Sequence, residues 1–592
     1  MVSASTEHRF VTIARTRLCI RWPTVSKQPR TDRDVIEDLW YKNAVIYALT
    51  LESFMDGNGD GIGDFEGLMR RLDYLESLGI DAIWLGPFQT SPNRDEGYDI
   101  ADFYSVAEHF GSNGDFVEFM QRANSRGIRV LIDLVVNHTS DKHRWFREAR
   151  SDRASPYRDW YVWSEKRPKN WKQGMVFPGV QKSTWTRDPE AGEYYYHRFY
   201  DFQPDLNMDN DDVRTEVRRI MGYWLALGVS GFRVDAVPFV IEGSPNASGR
   251  TPPLHFEYLE QMRSFLQWRT SGAIMLGEAN VLPPEHKKYF MDGNGIHMMF
   301  NFYVNQHLFY ALATGDTRPL SASLKATRSL PPGAQWAHFL RNHDELDLGR
   351  LTKEQRAQVF ERFGPDPDMQ LYDRGIRRRL APMLGERSHI ELAYSAMFSL
   401  PGTPVIRYGD EIGMGDDLRL RERNAVRTAM QWSSEQQGGF TTSEKPMKPV
   451  ISEGPYSCAE VNVESQRRDP NSLLNWTVKM IRLRKECPEI GWGSWTILPT
   501  RTPYVIAICY EWRDNAVVVV HNFSSRPQQA RFEVKVPGGD YLVNLLENDE
   551  IRADKSGVHR VALESFGYRW YRVGGMGYAL RGGRDSGAGI KW

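Results

Sequence analysis

Short apolar runs recur along the chain, and each stops in polar side chains. Four of them end in carboxylate, His or Asn: VLIDLVVNH (130–138), GFRVDAV (231–237), AIMLGEAN (273–280) and AHFLRNHDE (337–345). Four further runs of similar length lie before, between and after them, at 44–50, 81–87, 296–302 and 403–408. A short apolar run with polar flanks is typical of a buried strand in a parallel sheet. The pattern therefore predicts eight parallel strands.

Segments with helical spacing fill the intervals between these runs. Leu68, Leu72, Leu75 and Leu78 lie on one face of a predicted helix that ends at Gly79,. Further helices are predicted at about 114–126, 213–227, 254–268, 391–400 and 469–485. Strands that alternate with helices indicate an α/β fold, and eight such units predict a (β/α)8 TIM barrel.

Two regions break the alternation of strand and helix. Residues 139–207 are rich in aromatic and basic side chains, which predicts a small inserted domain after the third strand. From 492 to 573 the period changes to two, which predicts a C-terminal antiparallel β-sandwich,. The barrel then comprises residues 39–138 and 208–491. Residues 1–38 are predicted to be a disordered extension and 574–592 a flexible tail,.

The polar strand ends define the candidate chemistry. The C-terminal ends of barrel strands meet on one face, so Asp133, Asp235, Glu278 and Asp344 should lie together although they are distant in sequence,. A single acidic strand end is an ordinary capping residue, but four in order are specific. Two carboxyl groups about 5 Å apart are what glycoside cleavage with retention requires.

These segments carry a family resemblance. The four polar-ended runs resemble the signature regions of the α-amylase superfamily (glycoside hydrolase family 13), which consists of retaining α-glucoside enzymes. QPDLN at 203–207 resembles the additional motif of its oligo-1,6-glucosidase and trehalose synthase branch. NHDEL (342–346), GIRRRLAP (375–382) and GDEIGMGDD (409–417) are similar to the trehalose synthase-like group. The resemblance covers roughly residues 39–573.

The resemblance implies a role for each acid. Asp235 would be the nucleophile and Glu278 the acid/base, while Asp344 would bind the 2- and 3-hydroxyls of the sugar. Arg233, two residues before Asp235 on the same strand, is expected to hold that carboxyl ionised,. Burial after the run AIMLG is expected to raise the pKa of Glu278 and keep it protonated.

The remaining site residues follow from the same resemblance. Substrate-binding roles are implied for Tyr98, which would stack under the glucose ring, for Asp99, which would bond its outer hydroxyls, and for His138, Arg233, His343 and Glu345. Asp133 and Asn137 would support these side chains without touching the substrate. The alternative for each His is a satisfied core residue. Arg423 and Arg427 are expected in the loop after the eighth strand.

The loop DGNGDGIGD at 56–64 places oxygen side chains at alternate positions with glycines between them. Such a loop can wrap a hard cation, although the twelfth position that an EF-hand needs is Gly67,. The resemblance implies structural Ca2+, held by Asp56, Asn58, Asp60, Asp64 and the carbonyl of Ile62. The alternative is a metal-free loop of Asx turns.

Composition excludes several classes of partner. Lys plus Arg number 75 against 76 Asp plus Glu, so no field favours nucleic acid or an anionic membrane,. No apolar run approaches membrane-spanning length, and an N-terminal secretory signal is not evident,. Four Cys in 592 residues do not make a disulfide framework,. We expect a cytoplasmic enzyme; a homo-oligomer is compatible with the sequence.

Three functions remain open at this point. One is intramolecular transglucosylation that interconverts maltose and trehalose. The second is hydrolysis of, or another transfer from, short α-glucosides. The third is a non-catalytic sugar-binding relative, which the presence of every acid disfavours. Gly349 stands where the trehalose synthase-like pattern NHDELTLE has Glu, and this departure predicts that more water enters the site.

Overall fold

The computed structural model describes residues 39–245, 252–547 and 549–574. The predicted extension at 1–38 and nearly all of the predicted tail at 574–592 lie outside the described residues. Within the described part of the chain, no helix is both long and apolar enough to cross a membrane.

Eight parallel strands close into a barrel, which confirms the predicted fold class. Each strand pairs with the next one in sequence, and the last pairs with the first. The strands are β1 Ile46–Leu49, β2 Ala82–Leu85, β3 Arg129–Leu134, β4 Gly231–Val234, β5 Ile274–Gly277, β6 Met298–Phe300, β7 Gln335–Phe339 and β8 Thr403–Arg407.

Alternate residues of the barrel strands divide between two cores. Ile46, Trp84 and Leu276 belong to a cluster that fills the barrel interior. Tyr47, Ile83 and their equivalents on the other strands belong to the layer against the surrounding helices. Both faces of the barrel strands are covered, which is why most of their residues are apolar and the strands form nearly continuous apolar runs in the sequence,.

Helices surround the barrel and connect its strands. They are Phe65–Arg70, Leu72–Leu78, Asn113–Ser125, Arg144–Ser151, Asp211–Ala226, Val237–Val240, Glu257–Arg269, Pro283–Phe290, Phe302–Thr314, Arg318–Ala326, Lys353–Phe363, Leu380–Leu384, Arg387–Ser399, Val463–Arg468, Leu473–Glu486 and Glu489–Trp492. The single helix predicted at 65–78 is two helices that meet at Arg71. Helix Phe302–Thr314 is apolar on most of its surface, so periodicity did not reveal it.

The insertion after β3 contains the helix Arg144–Ser151 and a three-stranded sheet. Its strands are Trp163–Ser164, Trp185–Arg187 and Tyr194–Tyr196. The rings of Phe146 and Trp163 stack at 5.6 Å, so aromatic residues form much of its own core. A second three-stranded sheet, not predicted, follows β7 and joins Leu346–Asp347, Gln370–Leu371 and Gly375–Ile376.

The C-terminal region forms two antiparallel sheets, as predicted. A six-stranded sheet has the order Ser494–Leu498, Val505–Trp512, Asn515–Asn522, Tyr568–Val573, Tyr541–Asn544 and Glu550–Arg552, and a two-stranded sheet pairs Gln528–Glu533 with Val558–Leu563. The last two strands, Val558–Leu563 and Tyr568–Val573, are separated by only a few residues. Phe566, with φ 54°, turns the chain between two strands there.

The six-stranded sheet has two buried faces. Val518 and Val520 point toward the two-stranded sheet, whereas Val517, Val519 and Trp570 belong to the barrel's outer core. The contact with the barrel helix Arg387–Ser399 includes polar groups, because Ser395 Oγ accepts from Trp570 Nε1 at 2.9 Å. Barrel and sandwich therefore share one buried interface, mostly apolar and crossed by hydrogen bonds.

Candidate active site

The register of β3, β4 and β5 aligns the predicted polar strand ends. Asp133 of β3 lies beside Arg233 of β4, and Val234 lies beside Gly277 of β5. The next residues, Asp235 and Glu278, leave their strands at the same level. Parallel pairing therefore places these acids together at the C-terminal edge of the barrel.

Arg233 is the centre of this cluster and is only 1% exposed. Its Nη1 donates to Asp235 Oδ1 at 2.8 Å, and its Nη2 donates to Glu278 Oε2 at 2.5 Å. Asp133 Oδ1 lies 3.3 Å from Nη1 and also accepts from the indole of Trp84. One guanidinium therefore orients both acids that the resemblance assigns to the chemistry. Asp133 in turn holds this guanidinium in position.

Asp344 has its own cationic partners on the other side of the cluster. Its Oδ1 accepts from Arg423 at 2.6 Å and from Arg427 at 2.9 Å, and its Oδ2 lies 3.2 Å from His343 Nε2. Burial alone would raise the pKa of Asp344, but His343, Arg423 and Arg427 together hold it well below its ordinary value. Asp344 is therefore ionised at neutral pH.

The pKa of Asp235 is shifted in the opposite direction to that of Asp344. Burial raises the pKa of this carboxyl; Arg233 opposes that effect, and the charges of Glu278, Asp133 and Asp344 add to it, so the net pKa is well above the ordinary value. The pKa of Asp235 therefore moves in the direction opposite to the one predicted, because burial and three neighbouring carboxyls outweigh the guanidinium that Asp235 shares with Asp133 and Glu278. A positive charge that develops beside Asp235 would favour its ionised form.

The backbone after Asp235 is unusual. Ala236 has φ 48°, a left-handed conformation that non-glycine residues seldom adopt,. The turn carries the chain into the short helix Val237–Val240, and the amide of Ala236 lies 3.4 Å from Glu278 Oε2. Such local strain is often found where a functional side chain must point in one direction.

A cavity of about 540 Å³ opens at this edge. Its walls include Asp235, Glu278 and Asp344 together with Tyr98, His138 and Glu345. Volumes of this size are typical of small-molecule sites. Three segments contribute further wall residues: the insertion contributes Phe177 and Phe199, the short helix Val237–Val240 contributes Phe239, and the sheet after β7 contributes Arg374.

The aromatic residues of the site are fixed by the same network. Tyr98 donates to Asp133 Oδ2 at 2.7 Å, and its ring stacks on His343 at 5.5 Å. His138 Nε2 bonds the carbonyl of Tyr98 at 3.0 Å, and burial lowers the pKa of His138 to about 4. His138 is therefore neutral at pH 7, and its one N–H is the group that donates to the Tyr98 carbonyl.

Asp99 is not on the cavity. It is fully buried, and its carboxylate accepts bonds from Ser91 Oγ at 2.9 Å and from the amides of Arg94 and Asp95 at 3.1 Å. The expectation that Asp99 bonds sugar hydroxyls is therefore wrong in this geometry. It shapes the loop that presents Asp95, which does line the cavity and pairs with Arg423 at 3.1 Å.

Sequence reasoning missed the role of Asp95 and placed Arg423 and Arg427 only as loop residues. The direction of a loop side chain cannot be read from the sequence. The signal that could have found this group is charge balance: Asp344 needs a cation, and RERNAVR at 421–427 supplies two. Arg427 also pairs with Glu96, which Lys448 holds at 2.5 Å.

Glu345 and Asn137 differ in their position relative to the cavity. Glu345 lines the cavity, and its Oε2 has no hydrogen-bond partner among the described residues. Burial and the neighbouring Asp344 raise the pKa of Glu345 to about 7. Asn137 lies behind the wall, 2% exposed, with its amide nitrogen 3.4 Å from His138 Nδ1.

Gly349 lies on the cavity wall near its mouth. Its amide donates to Asp347 Oδ1 at 2.6 Å, and its φ is outside the left-handed region. Arg350 and Arg374 flank it; Arg374 bonds Asp347 at 3.0 Å and reaches the carbonyl of Val176 in the insertion at 3.1 Å. The backbone at this position therefore does not require glycine.

The loop at 56–64 is held by its own backbone amides. Asp56 accepts from Gly59 at 2.7 Å and Gly61 at 2.8 Å, while Asp64 accepts from Gly67 at 2.6 Å. Within the described ranges, no three His, Cys, Asp or Glu side chains form a group that could hold a metal ion. Asp56 Oδ2 also accepts from Thr441 Oγ1, and each oxygen of Asp64 accepts from two backbone amides, so a cation bound here would replace some of these hydrogen bonds,.

A closed barrel that carries two carboxyls on one buried arginine at its C-terminal edge supplies the pair of acids that glycoside cleavage requires,. The sequence profile of the α-amylase catalytic domain matches residues 46–363 and 377–493, and that of the sucrose hydrolase-like C-terminal domain matches 515–572. The chain belongs to the α-amylase family.

Individual relatives refine this placement. The chain is 45% identical over 543 residues to a trehalose synthase of Thermus thermophilus, covering 91% of this chain but only 56% of that protein. It is 39% identical to the trehalose synthase of Pimelobacter sp. (strain R48), covering 91% and 96%. Among solved structures, trehalose-6-phosphate hydrolase of Bacillus licheniformis matches with TM-score 0.72 and 28% identity, covering 90% and 99%.

Proposed function

We propose that this enzyme interconverts maltose and trehalose by intramolecular transglucosylation. The observation that carries the proposal is the pair Asp235 and Glu278, which share the guanidinium of Arg233 at the wall of a cavity that suits a disaccharide. Similarity to trehalose synthases over nine tenths of the chain supports the choice of substrate.

In the first step, an Asp235 carboxylate oxygen attacks the anomeric carbon of the non-reducing glucose. The bond from that carbon to the bridging oxygen breaks, and the Glu278 carboxyl gives its proton to the leaving oxygen. Asp344, ionised beside two arginines, accepts hydrogen bonds from the ring hydroxyls, which strengthen as the ring flattens. Positive charge on the ring at this stage favours ionised Asp235.

In the second step, the released glucose stays in the cavity and turns. Its anomeric hydroxyl attacks the glucosyl carbon, Asp235 leaves, and Glu278 takes the hydroxyl proton. The product is an α,α-1,1 glucoside. This outcome requires that water reach the glucosyl-Asp235 bond more slowly than the retained sugar. The aromatic wall residues and the Arg374 contact to Val176 narrow the route for water.

A second candidate is hydrolysis of short α-glucosides. The observation that favours it is Gly349, an exposed residue of the cavity wall that leaves room for water beside Arg350 and Arg374. The structural similarity to a trehalose-6-phosphate hydrolase fits this alternative.

We also propose calcium at the loop 56–64 and a cytoplasmic location. The oxygen-rich composition of the loop supports the first, with Asp56, Asn58, Asp60, Asp64 and the Ile62 carbonyl as ligands, and structural stabilisation as the ion's contribution. The three described cysteines, Cys458, Cys487 and Cys509, are free thiols, which supports a reducing compartment,.

The deciding experiment is a time course with maltose in which trehalose and glucose are resolved. We expect trehalose to accumulate from the earliest times, with glucose as a minor product. Glucose alone, with no trehalose at any time, would assign the protein to the hydrolases. Isotope-labelled free glucose added to the reaction should remain outside the trehalose formed, because transfer occurs within one binding event.

A further inference from the structure

A second cavity, of about 380 Å³, lies away from the active site and shares no lining residue with it. It forms where three separate segments meet. Arg71 comes from the break between the helices Phe65–Arg70 and Leu72–Leu78, Trp432 from the segment after β8, and Arg467 from the helix Val463–Arg468. The family resemblance assigns none of these residues a role.

Two fixed aromatic rings form the floor of this cavity. Trp432 and Tyr74 are 3% and 4% exposed, and their rings meet edge to face at 5.1 Å. The Trp432 indole donates to the carbonyl of Phe54 at 2.7 Å, and the Tyr74 hydroxyl donates to Glu411 at 2.6 Å. Because both polar tips are bonded inward, the ring surfaces cannot turn away.

Two guanidiniums lie over these rings. Arg71 Cζ is 4.2 Å from the centroid of Trp432, and Arg467 Cζ is 5.4 Å from that of Tyr74. Arg71 directs Nε and Nη2 to the sulfur of Met55, both at 3.4 Å, and Arg467 donates to Ser77 Oγ at 2.9 Å. Both side chains are thus held in place by weak or neutral acceptors.

Neither arginine has an anionic partner among the described residues, although their sequence neighbours do. Arg70 pairs with Glu66 at 2.5 Å, and Arg468 pairs with Glu464 at 2.5 Å. Burial lowers the pKa of Arg71, and the charges of Arg467 and Arg70 lower it further. Two like charges that face one cavity, neither of them ion-paired, create a local demand for an anion,.

Two acids, Glu435 and Glu464, lie on the cavity wall, but neither forms an ion pair with Arg71 or Arg467. Glu464 is engaged by Arg468, and Glu435, which is exposed, forms no ion pair in the described part of the chain. A ligand anion would have to approach from the side of Arg71 and Arg467.

We propose that this cavity binds a small organic phosphate. The two guanidiniums would take the phosphate oxygens, for which their planar donor arrays are suited, and the remainder of the ligand would lie along the Trp432 edge. The inference does not depend on the proposed function of the active site.

Binding to the full-length protein tests the proposal by calorimetry. The probes are inorganic phosphate and glucose 6-phosphate, titrated at fixed ionic strength against a chloride background. We expect wild type to bind both, and Arg467→Gln to weaken phosphate binding by at least about tenfold, since a hydrogen bond to a charged group is lost. Arg71→Gln should have a similar effect.

Arg70→Gln is the matched control, because it removes the same charge at the adjacent position but does not face the cavity. It should bind like wild type. Arg467 is exposed, so Arg467→Gln should keep the fold even if Arg71→Gln, which uncovers Trp432, does not; a melting curve checks this. Absence of phosphate binding to wild type, or equal affinity for wild type and a folded Arg467→Gln, would overturn the proposal.

Discussion

The molecule contains two carboxylate-rich regions whose acids have different partners. At the barrel edge, Asp235, Glu278 and Asp344 are held by arginines and line the cavity. In the loop at 56–64, Asp56 and Asp64 accept bonds from backbone amides of their own turn. A guanidinium orients a carboxylate from one side and leaves the other free for a ligand. A carboxylate that accepts hydrogen bonds from several backbone amides instead stabilises the conformation of its own loop.

The electrostatics of the two regions differ accordingly. Around Asp344, whole positive charges overcome burial, and the pKa falls well below its ordinary value. Around Asp64, burial outweighs the amides of Gly67, Gly57 and Asn58, and the pKa is raised. Three cationic neighbours keep the buried Asp344 ionised, whereas one shared guanidinium at Asp235 and the amide dipoles at Asp64 do not outweigh burial. The first region is therefore suited to chemistry and the second to structure.

The largest expected effect separates the two regions directly. Asp235→Asn should lower kcat on maltose by at least about 10⁴-fold, because an amide cannot attack the anomeric carbon. Asp60→Asn, the same change in the loop, should leave kcat within about twofold of wild type. Initial rates for both variants, with melting curves, make the measurement. A comparable loss of kcat in a folded Asp60→Asn would end the distinction between the regions.

The next effect distinguishes two acids that share Arg233. Glu278→Gln should lower the rate on maltose by about 10³-fold, since a sugar alkoxide leaves poorly without a proton. With a nitrophenyl α-glucoside the loss should be at least about tenfold smaller, because nitrophenolate leaves unprotonated. The rates with the two substrates are compared for wild type and variant. If both substrates suffered equally, Glu278 would not be the acid.

Removal of calcium should affect stability and leave the chemistry unchanged. Chelation should lower Tm by about 4 °C, and activity at moderate temperature should persist or return when calcium is restored. Asp56→Asn should melt near the chelated value and no longer respond to calcium. An unchanged melting curve after thorough chelation would show that the amide-bonded loop is complete without an ion.

The smallest expected effect comes from adding a carboxylate to the cavity mouth. Gly349→Glu should lower the early glucose-to-trehalose ratio by about twofold or more, because the new side chain can meet Arg350 or Arg374 and close a route for water,. An added Cβ would lie 2.9 Å from Asp347 Oδ1, so Asp347 must turn slightly. Gly349→Gln is a control of equal size without the charge. If a folded Gly349→Glu gave the wild-type glucose-to-trehalose ratio, position 349 would not control the entry of water.

The barrel could be predicted because each strand is buried on both faces and therefore forms a visible apolar run. The four acids could be located for the same reason, since Asp235 and Glu278 directly follow such runs, Asp133 lies inside one near its end, and Asp344 follows shortly after one. The sheet after β7 was missed because its strands are two residues long and carry no period. Phe566 itself is not a turn former, and the signal for the turn it makes in the sandwich is the neighbouring Gly567,.

Within the site, sequence reasoning failed where three-dimensional charge balance decides. Asp99 was expected to bind the ligand, but the amides of Arg94 and Asp95 in its own loop donate to its carboxylate. Arg233 was expected to ionise Asp235, but it is shared among three acids. Neither outcome follows from the spacing of residues along the chain.

The shared face of the C-terminal sheet has a consequence for protein engineering. Val517, Val519 and Trp570 complete the core around the helix Arg387–Ser399. Removal of the sandwich would therefore expose an apolar surface on the barrel. Anyone building a minimal catalyst or a chimera from this scaffold must move both halves together. New modules are better attached to the sheet's outer edges, such as Glu550–Arg552, than exchanged for the sandwich itself.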